Sequence, residues 1–201
     1  LRCPYHGWKY DITGQCVELP SEGPDGPMRS RMKLKSYPCV ELAGLVWAYM
    51  GPPDLKPPLP ELEWARVPSE RRYASKCLQE SNYLQANEGG IDSSHVSFLH
   101  SGALKTDPLF VGSRGNRYNE HDRMPFFDVV DFPGGLLIGA RRNADNDRYY
   151  WRITPFIMPW YSMIPPRAGH PIGAHAWVPI DDHSCWAWSI NYHPRPAVTE
   201  K

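Results

Sequence analysis

The stretch "GPPDLKPPLPELEW", residues 51–64, limits this chain more than any other feature. Proline has no N–H to donate and fixes its own φ, so a segment this dense in proline is neither a helix interior nor a central strand. It predicts an extended connector over residues 51–65, with one folded unit before it (1–50) and one after it (66–201). The 201 residues are 41% hydrophobic and 12% aromatic, enough for a real core. Lys and Arg number 22 against 22 Asp and Glu, a balance that offers no charged field for nucleic acid or an anionic membrane. No apolar run approaches the roughly 20 residues of a membrane span. The start, "LRCPYHGW", lacks a secretory pattern, and five scattered cysteines suit a reducing compartment. A soluble cytoplasmic protein is expected.

Hydrophobic periodicity fills in the two units. "CVELAGLVWAYMG" (39–51) alternates and reads as a strand closing a small β-rich unit. Beyond the connector, "RRYASKCLQE" (71–80) reads as a strand leading into "SNYLQANEGGIDSSHVSFLH" (81–100), helical but interrupted by Gly89 and Gly90. The segments at 134–142, 148–160, 171–181 and 184–194 are rich in β-branched and aromatic residues and separated by turns such as "NADND" and "IDDHS". Successive strands with short connections predict an antiparallel meander, and a helix packed on it gives an α+β domain.

Two constellations carry chemistry. In "CPYHGWKYD", Cys3 and His6 are three residues apart in a loop of Pro, Gly and aromatics. Taken bare, this describes a zinc half-site, or a buried thiol beside a hydrogen-bonded imidazole. The second is D-x-x-H-x-x-x-x-H in "GGIDSSHVSFLH": Asp92, His95 and His100. Mononuclear non-haem Fe(II) takes two imidazoles and a carboxylate on one face and leaves the opposite positions open. Residues five apart on an ideal helix differ by roughly 140° in azimuth. His95 and His100 therefore face one ion only if the helix ends, tightens or bulges between them. Zinc sites of the H-E-x-x-H kind lack that constraint, which disfavours a metalloprotease.

"CPYHGW" resembles the second half of a Rieske iron–sulfur motif, and D-x-x-H-x-x-x-x-H follows it by about ninety residues. Together they resemble the large (alpha) subunit of Rieske non-haem iron aromatic ring-hydroxylating oxygenases. "EGGIDSSHVSFLH" with "MPWYSMIPP" is most similar to the phthalate 4,5-dioxygenase type. The resemblance covers essentially the whole chain. It implies the C-terminal part of a small β Rieske domain, followed by an antiparallel-sheet helix-grip (START-like) catalytic domain. It further implies that Cys3 and His6 bind a [2Fe-2S] cluster, with Gly7 turning the backbone under it and Pro4 stiffening the loop. His95 and His100 would bind the mononuclear Fe(II). Asp92 would join an iron-ligand His to the His6 position of a neighbouring subunit, an electron-transfer bridge that needs a homo-oligomer, a trimer or stacked trimers. The cluster's other ligands are expected upstream of residue 1, and the third iron carboxylate outside the chain beyond Lys201. Asp181 and Asp182 read as turn residues. Where many relatives place an amide four residues before the bridging Asp, this chain has Glu88, with Asn87 beside it.

By the same resemblance the protein takes electrons from an FMN and [2Fe-2S] reductase that uses NAD(P)H, and uses O2 to hydroxylate an aromatic carboxylate such as phthalate. Candidate anchors for the carboxylate are Ser93, Arg141 and Arg152. Arg142 falls on the opposite strand face from Arg141, so at most one of those two enters a pocket. The run "WYSMIPP" reads as core. Alternatives are a Rieske monooxygenase or O-demethylase acting on another aromatic, and a Rieske electron-transfer protein without oxygen chemistry. The latter has no use for His95 and His100.

Overall fold

The computed structural model describes residues 1–23, 25–107, 111–167 and 170–194. Two compact units divide between Glu61 and Leu62. Among the described residues no helix is long and apolar enough to cross a membrane.

The first unit holds two small antiparallel pairs, β1 (Lys9–Tyr10) with β2 (Cys16–Glu18) and β3 (Cys39–Leu42) with β4 (Leu45–Ala48), and a short helix α1 (Met28–Arg31). Buried Tyr10, Cys16 and Leu19, with Trp8 and Met32 against them, form its core. Residues 39–51 are not the single strand that their alternation predicts. Ala43 and Gly44 take φ of 59° and 80° and fold the segment into a hairpin with Leu42 opposite Leu45. Two successive positive φ values define the tight turn whose twist matches the flanking strands.

The second unit begins inside the proline-rich stretch. Helix α2 (Glu63–Arg66) buries Trp64 to 1% exposure. Glu63 Oε2 accepts a 2.8 Å hydrogen bond from the Tyr192 hydroxyl. Burial raises the pKa of Tyr161, nearby in charge terms to Glu63, to about 12. Strand β5 (Arg72–Gln79) follows, and Arg72 Nη1 donates back to the carbonyls of Ala65 and Val67.

Next come α3 (Tyr83–Ile91), α4 (Ser101–Thr106) and α5 (Arg114–His121). The remaining strands are β6 (Phe126–Phe132), β7 (Gly135–Asn143), β8 (Tyr149–Ile157), β9 (Tyr161–Met163), β10 (Ile172–Pro179) and β11 (Cys185–Tyr192). They form one seven-stranded antiparallel sheet in the order β5-β11-β10-β9-β8-β7-β6, the expected meander with β5 added beside its last strand.

Gly89 and Gly90 do not interrupt α3. The helix is started by Asn82, whose side chain accepts from Leu84 N at 2.9 Å, and runs through both glycines to Ile91. Gly90 serves close approach to the sheet: a Cβ there would lie 3.0 Å from Ser162 Oγ and from Trp177 Nε1. Glycine's conformational cost in a helix, about 1 kcal/mol, is offset here by packing that a larger residue would prevent.

Because Trp64 is almost wholly buried, Trp64→Ala in the full-length protein should lower unfolding free energy by about 3–5 kcal/mol in denaturant titration. A loss below about 1 kcal/mol would mean that residue 64 lies in a free connector.

Candidate metal centre and its cavity

The centre begins where α3 stops. Asp92 sits at its C-cap with extended backbone (φ −73°, ψ 132°), and its carboxylate turns back onto the chain that follows. Oδ1 accepts from Ser94 N at 2.8 Å, and Oδ2 accepts from His95 N at 2.9 Å and from the His95 ring at Nδ1, 3.0 Å away. Asp residues favour such caps because the short side chain satisfies N–H groups that have no helical partner. A tight 3-10 turn over His95–Ser97 follows, and His100 stands at the start of α4 with φ −95°, ψ 8°. The chain thus leaves α geometry between the two histidines, as their spacing demands. Their ring centroids are 5.1 Å apart at an interplanar angle of 65°.

Burial alone would raise the Asp92 carboxyl, but the N–H groups of Ser94 and His95 and the His95 ring outweigh it and hold the carboxyl below its ordinary value. An ionised carboxylate only accepts, so His95 Nδ1 is the donor, and in the neutral tautomer that this selects the lone pair is on Nε2. A carboxylate on the outer nitrogen is the usual support of a metal-ligating imidazole. Partial desolvation, the His95 ring and the Arg152 guanidinium lower the pKa of His100, which favours the neutral form that a metal needs. The pair therefore fits two of the three protein ligands of a mononuclear iron. Among the described residues no group of three His, Cys, Asp or Glu could hold a metal ion. Asp181 sits in the turn after β10, where it accepts from His183 N and Ser184 Oγ.

In the first unit the loop 3–8 is closed by Cys3 N donating to Trp8 O (2.8 Å) and Gly7 N to Cys3 O (3.0 Å). Gly7 adopts φ +74°, a conformation that side-chain-bearing residues rarely take. Cys3 and His6 are both exposed, and Cys3 is a free thiol. One sulfur and one imidazole donor on a tight loop fit half the ligand set of a Rieske cluster, which takes two of each.

The two histidines and Asp92 line a cavity of about 800 Å³. Its helical wall is α3 through Gln85, Ala86, Gly89 and Gly90, while Glu88 points to solvent and Asn87 is buried. The sheet wall comes from alternate residues of β8 and β10, Arg152 and Thr154, then Gly173, His175 and Trp177. The register Phe156↔Ser162↔His175↔Ser189 keeps them on one face. Burial pushes the pKa of His175 down, and its ring stacks on Trp177 with centroids 5.1 Å apart.

Of the three proposed substrate anchors only Arg152 lines this cavity. It is 5% exposed, its Nε donates to Ser93 Oγ at 3.2 Å, and among the described residues its Nη1 has no hydrogen-bond partner. Ser93 lies behind the wall, buried, with its oxygens taken by the two arginines Arg142 and Arg152. Arg141 is on the other face, its guanidinium 4.9 Å from the Phe126 ring centre and 4.3 Å from that of Tyr149. Strand alternation separates Arg141 from Arg142 as expected, but the inward member, Arg142, is a buried tie to Ser93, Ser97 and Asp122 rather than a cavity residue. Ile164 and Pro165, from the run read as core, also line the cavity, as does Arg167, which sequence reasoning passed over. Arg167 lies in an irregular segment that gives no periodicity to read, whereas "GAHAW" in β10 carries a period-2 signal for His175 and Trp177.

The antiparallel sheet, with the segment from α3 to α4 that brings His95 and His100 to one cavity, makes a helix-on-sheet unit with two candidate metal ligands. Residues 48–201 match the family model "LigXa C-terminal domain like", and residues 1–38 match the Rieske [2Fe-2S] domain. The chain belongs to the Rieske non-haem iron oxygenases, enzymes that carry a Rieske [2Fe-2S] cluster and a mononuclear iron. It is 39% identical over 184 residues to the 3-chlorobenzoate-3,4-dioxygenase oxygenase subunit of Comamonas testosteroni, covering 90% of this chain and 42% of that protein. It is 37% identical over 191 residues to the phthalate 4,5-dioxygenase oxygenase subunit of Pseudomonas putida, covering 90% and 43%. With the 5,5'-dehydrodivanillate O-demethylase oxygenase subunit of a Sphingobium strain it shares 38% over 204 residues, covering 98% and 45%. The chain thus spans less than half the length of these relatives. In fold it is similar to dicamba monooxygenase bound to dicamba, with a TM-score of 0.69 at 20% identity over 96% of this chain and 60% of that one.

Because the two imidazoles share one face of the cavity, His100→Ala in the full-length protein should leave the two cluster irons and remove the third, read by metal analysis and the cluster's visible absorption. Retention of all three irons would exclude His100 as a ligand.

Proposed function

We propose that this chain is part of the oxygenase component of a Rieske-type aromatic ring-hydroxylating dioxygenase that hydroxylates an aromatic carboxylate such as phthalate. When bound, the cluster would supply single electrons and the ferrous iron the redox chemistry with O2, since such cofactors carry the hard steps and the protein orients and shields them. His95 and His100 hold the iron, and Asp92 fixes the His95 ring through Nδ1. Asp92 also offers its half-exposed carboxylate to the His6 position of a neighbouring copy, which requires a homo-oligomer. Cys3 and His6 hold the cluster, and a reductase is the electron donor.

The observation that carries the substrate class is the state of Arg152. Two guanidiniums, Arg142 and Arg152, are buried to 0% and 5% exposure, and among the described residues neither has a carboxylate within ion-pair distance. Burying a charge without a counter-charge is costly, so the wall is electrostatically incomplete. A carboxylate in the cavity supplies the missing charge, and the unpartnered Nη1 of Arg152 supplies a donor for it. The apolar part of the lining, with Val96, Leu99 and Ile164, suits an aromatic ring. Monooxygenation or O-demethylation is the second reading, favoured by the 38% identity to an O-demethylase oxygenase subunit.

Arg152→Met should raise KM for an aromatic carboxylate on the order of 100-fold, the loss of a buried charge-assisted contact, and leave turnover of its neutral methyl ester within about threefold. Equal KM values for both substrates in the variant and the wild type would remove Arg152 from the site. Asp92→Asn, whose side-chain oxygen can still cap the turn, should retain three irons per chain while turnover falls at least about 10-fold. Undiminished turnover would end the bridging role.

A further inference from the structure

We propose that Ser93 is a positioning residue that couples the cavity-facing guanidinium of Arg152 to the turn carrying Asp92 and His95. This rests on the carboxylate reading above. Ser93 is 3% exposed, and its hydroxyl oxygen accepts from Arg142 Nη1 at 3.3 Å and from Arg152 Nε at 3.2 Å. A hydroxyl oxygen has two lone pairs, so both are used and no acceptor is spare. The Ser93 carbonyl is held as well, accepting from Arg142 Nη2 at 2.7 Å, and the same Nη2 donates to Ser97 Oγ at 3.3 Å. Arg142 Nε ends on the Asp122 carbonyl at 3.0 Å. Arg142 is thus a clamp from β7 onto Ser93, ahead of the 3-10 turn, and Ser97 at its end, while Arg152 from β8, among the described residues, reaches this segment through Ser93.

Ser93 is also one peptide from Asp92, whose carboxylate holds Ser94 N, His95 N and the His95 ring. An anion that draws Arg152 into the cavity pulls on Nε and hence on Ser93 Oγ. With the Ser93 carbonyl pinned by Arg142, that displacement acts on the Asp92–His95 turn and on the orientation of the His95 ring. The converse holds by linkage: a metal that fixes His95 fixes Ser93, and with it the pose of Arg152. Ser97 is the internal comparison, since its hydroxyl bonds Arg142 without touching Arg152.

The test is calorimetric binding of phthalate to the full-length protein, with the mononuclear site first stripped by a chelator and then filled with Co(II). The factor by which Co(II) changes phthalate affinity should fall at least about fivefold in Ser93→Ala. It should stay within about twofold of wild type in Ser97→Ala and in Ser93→Thr, which restores the hydroxyl. An unchanged factor in Ser93→Ala overturns the coupling, as do equal losses in Ser93→Ala and Ser97→Ala, which would report general loosening. Arg152→Met in the same assay separates the two claims. Phthalate binding that survives this substitution sinks the carboxylate reading, whereas binding lost with it and an unchanged Ser93→Ala factor sinks the coupling alone. A wild-type protein that does not bind phthalate overturns both.

Discussion

The three hydrogen bonds that the Asp92 carboxylate accepts from Ser94 N, His95 N and His95 Nδ1 are the interaction on which the candidate metal centre depends. A helix of uniform pitch would send residues 95 and 100 to different sides. The carboxylate ends α3, caps the tight turn, and orients one imidazole by its outer nitrogen. One side chain therefore performs a backbone task and an electrostatic one, and the negative charge it keeps is the charge that makes the His95 ring a better donor to a cation. An amide at position 92 would preserve much of the capping but leave the imidazole beside a neutral acceptor.

Around that turn the second unit buries two guanidiniums, Arg142 and Arg152, and among the described residues no carboxylate lies within ion-pair distance of either. Arg142 and Arg152 share a serine hydroxyl, and burial first, then the Arg152 guanidinium, lower the pKa of Arg142. A serine is a weak substitute for a carboxylate: it offers a dipole, and burial makes the unmatched part expensive. Two outcomes follow physically. Either a guanidinium is drawn to solvent, as Arg141 is on the opposite face where it stacks on Phe126 and Tyr149, or an anion enters. Arg142, tied to the carbonyls of Asp122 and Ser93, has no such freedom, so Arg152 is the candidate to meet the proposed carboxylate.

How far the sequence spoke for itself depended on the range of the interaction. The histidine pair was legible because all of its geometry lies within nine residues and helical azimuth is a strong constraint. The meander was legible from period-2 runs bounded by turns. Gly89 and Gly90 were misread as breakers, yet both lie inside the helix. What calls for glycine at Gly90 is a close approach to Ser162 and Trp177, on strands 70 or more residues away in the chain, whereas Gly89 faces open space. Residues 39–51 were misread because alternation is preserved across a two-residue turn, and only the positive φ at Ala43 and Gly44 separates a hairpin from one strand. Alternation told that Arg141 and Arg142 part company. It did not tell that the inward one would be consumed by the turn, because that depends on which element faces β7.

The same difference in range has a functional consequence. The groups suited to hold the iron are local, from a segment that starts at Asp92 and ends at His100, whereas the cavity wall is assembled from β8, β10 and the irregular segment after β9. A substitution at Thr154, His175 or Ile164 alters the shape or polarity that a substrate meets without moving the Asp92 carboxylate or either imidazole. A change at Arg142 does the opposite, acting first on the turn, since Arg142 holds Ser93 and Ser97 and does not line the cavity. Relatives named for a chlorobenzoate, for phthalate and for an O-demethylation fit a division between a turn built from short-range bonds and a cavity wall built from distant strands. Arg152 stands at the junction, since it belongs to the strand wall and yet touches the turn.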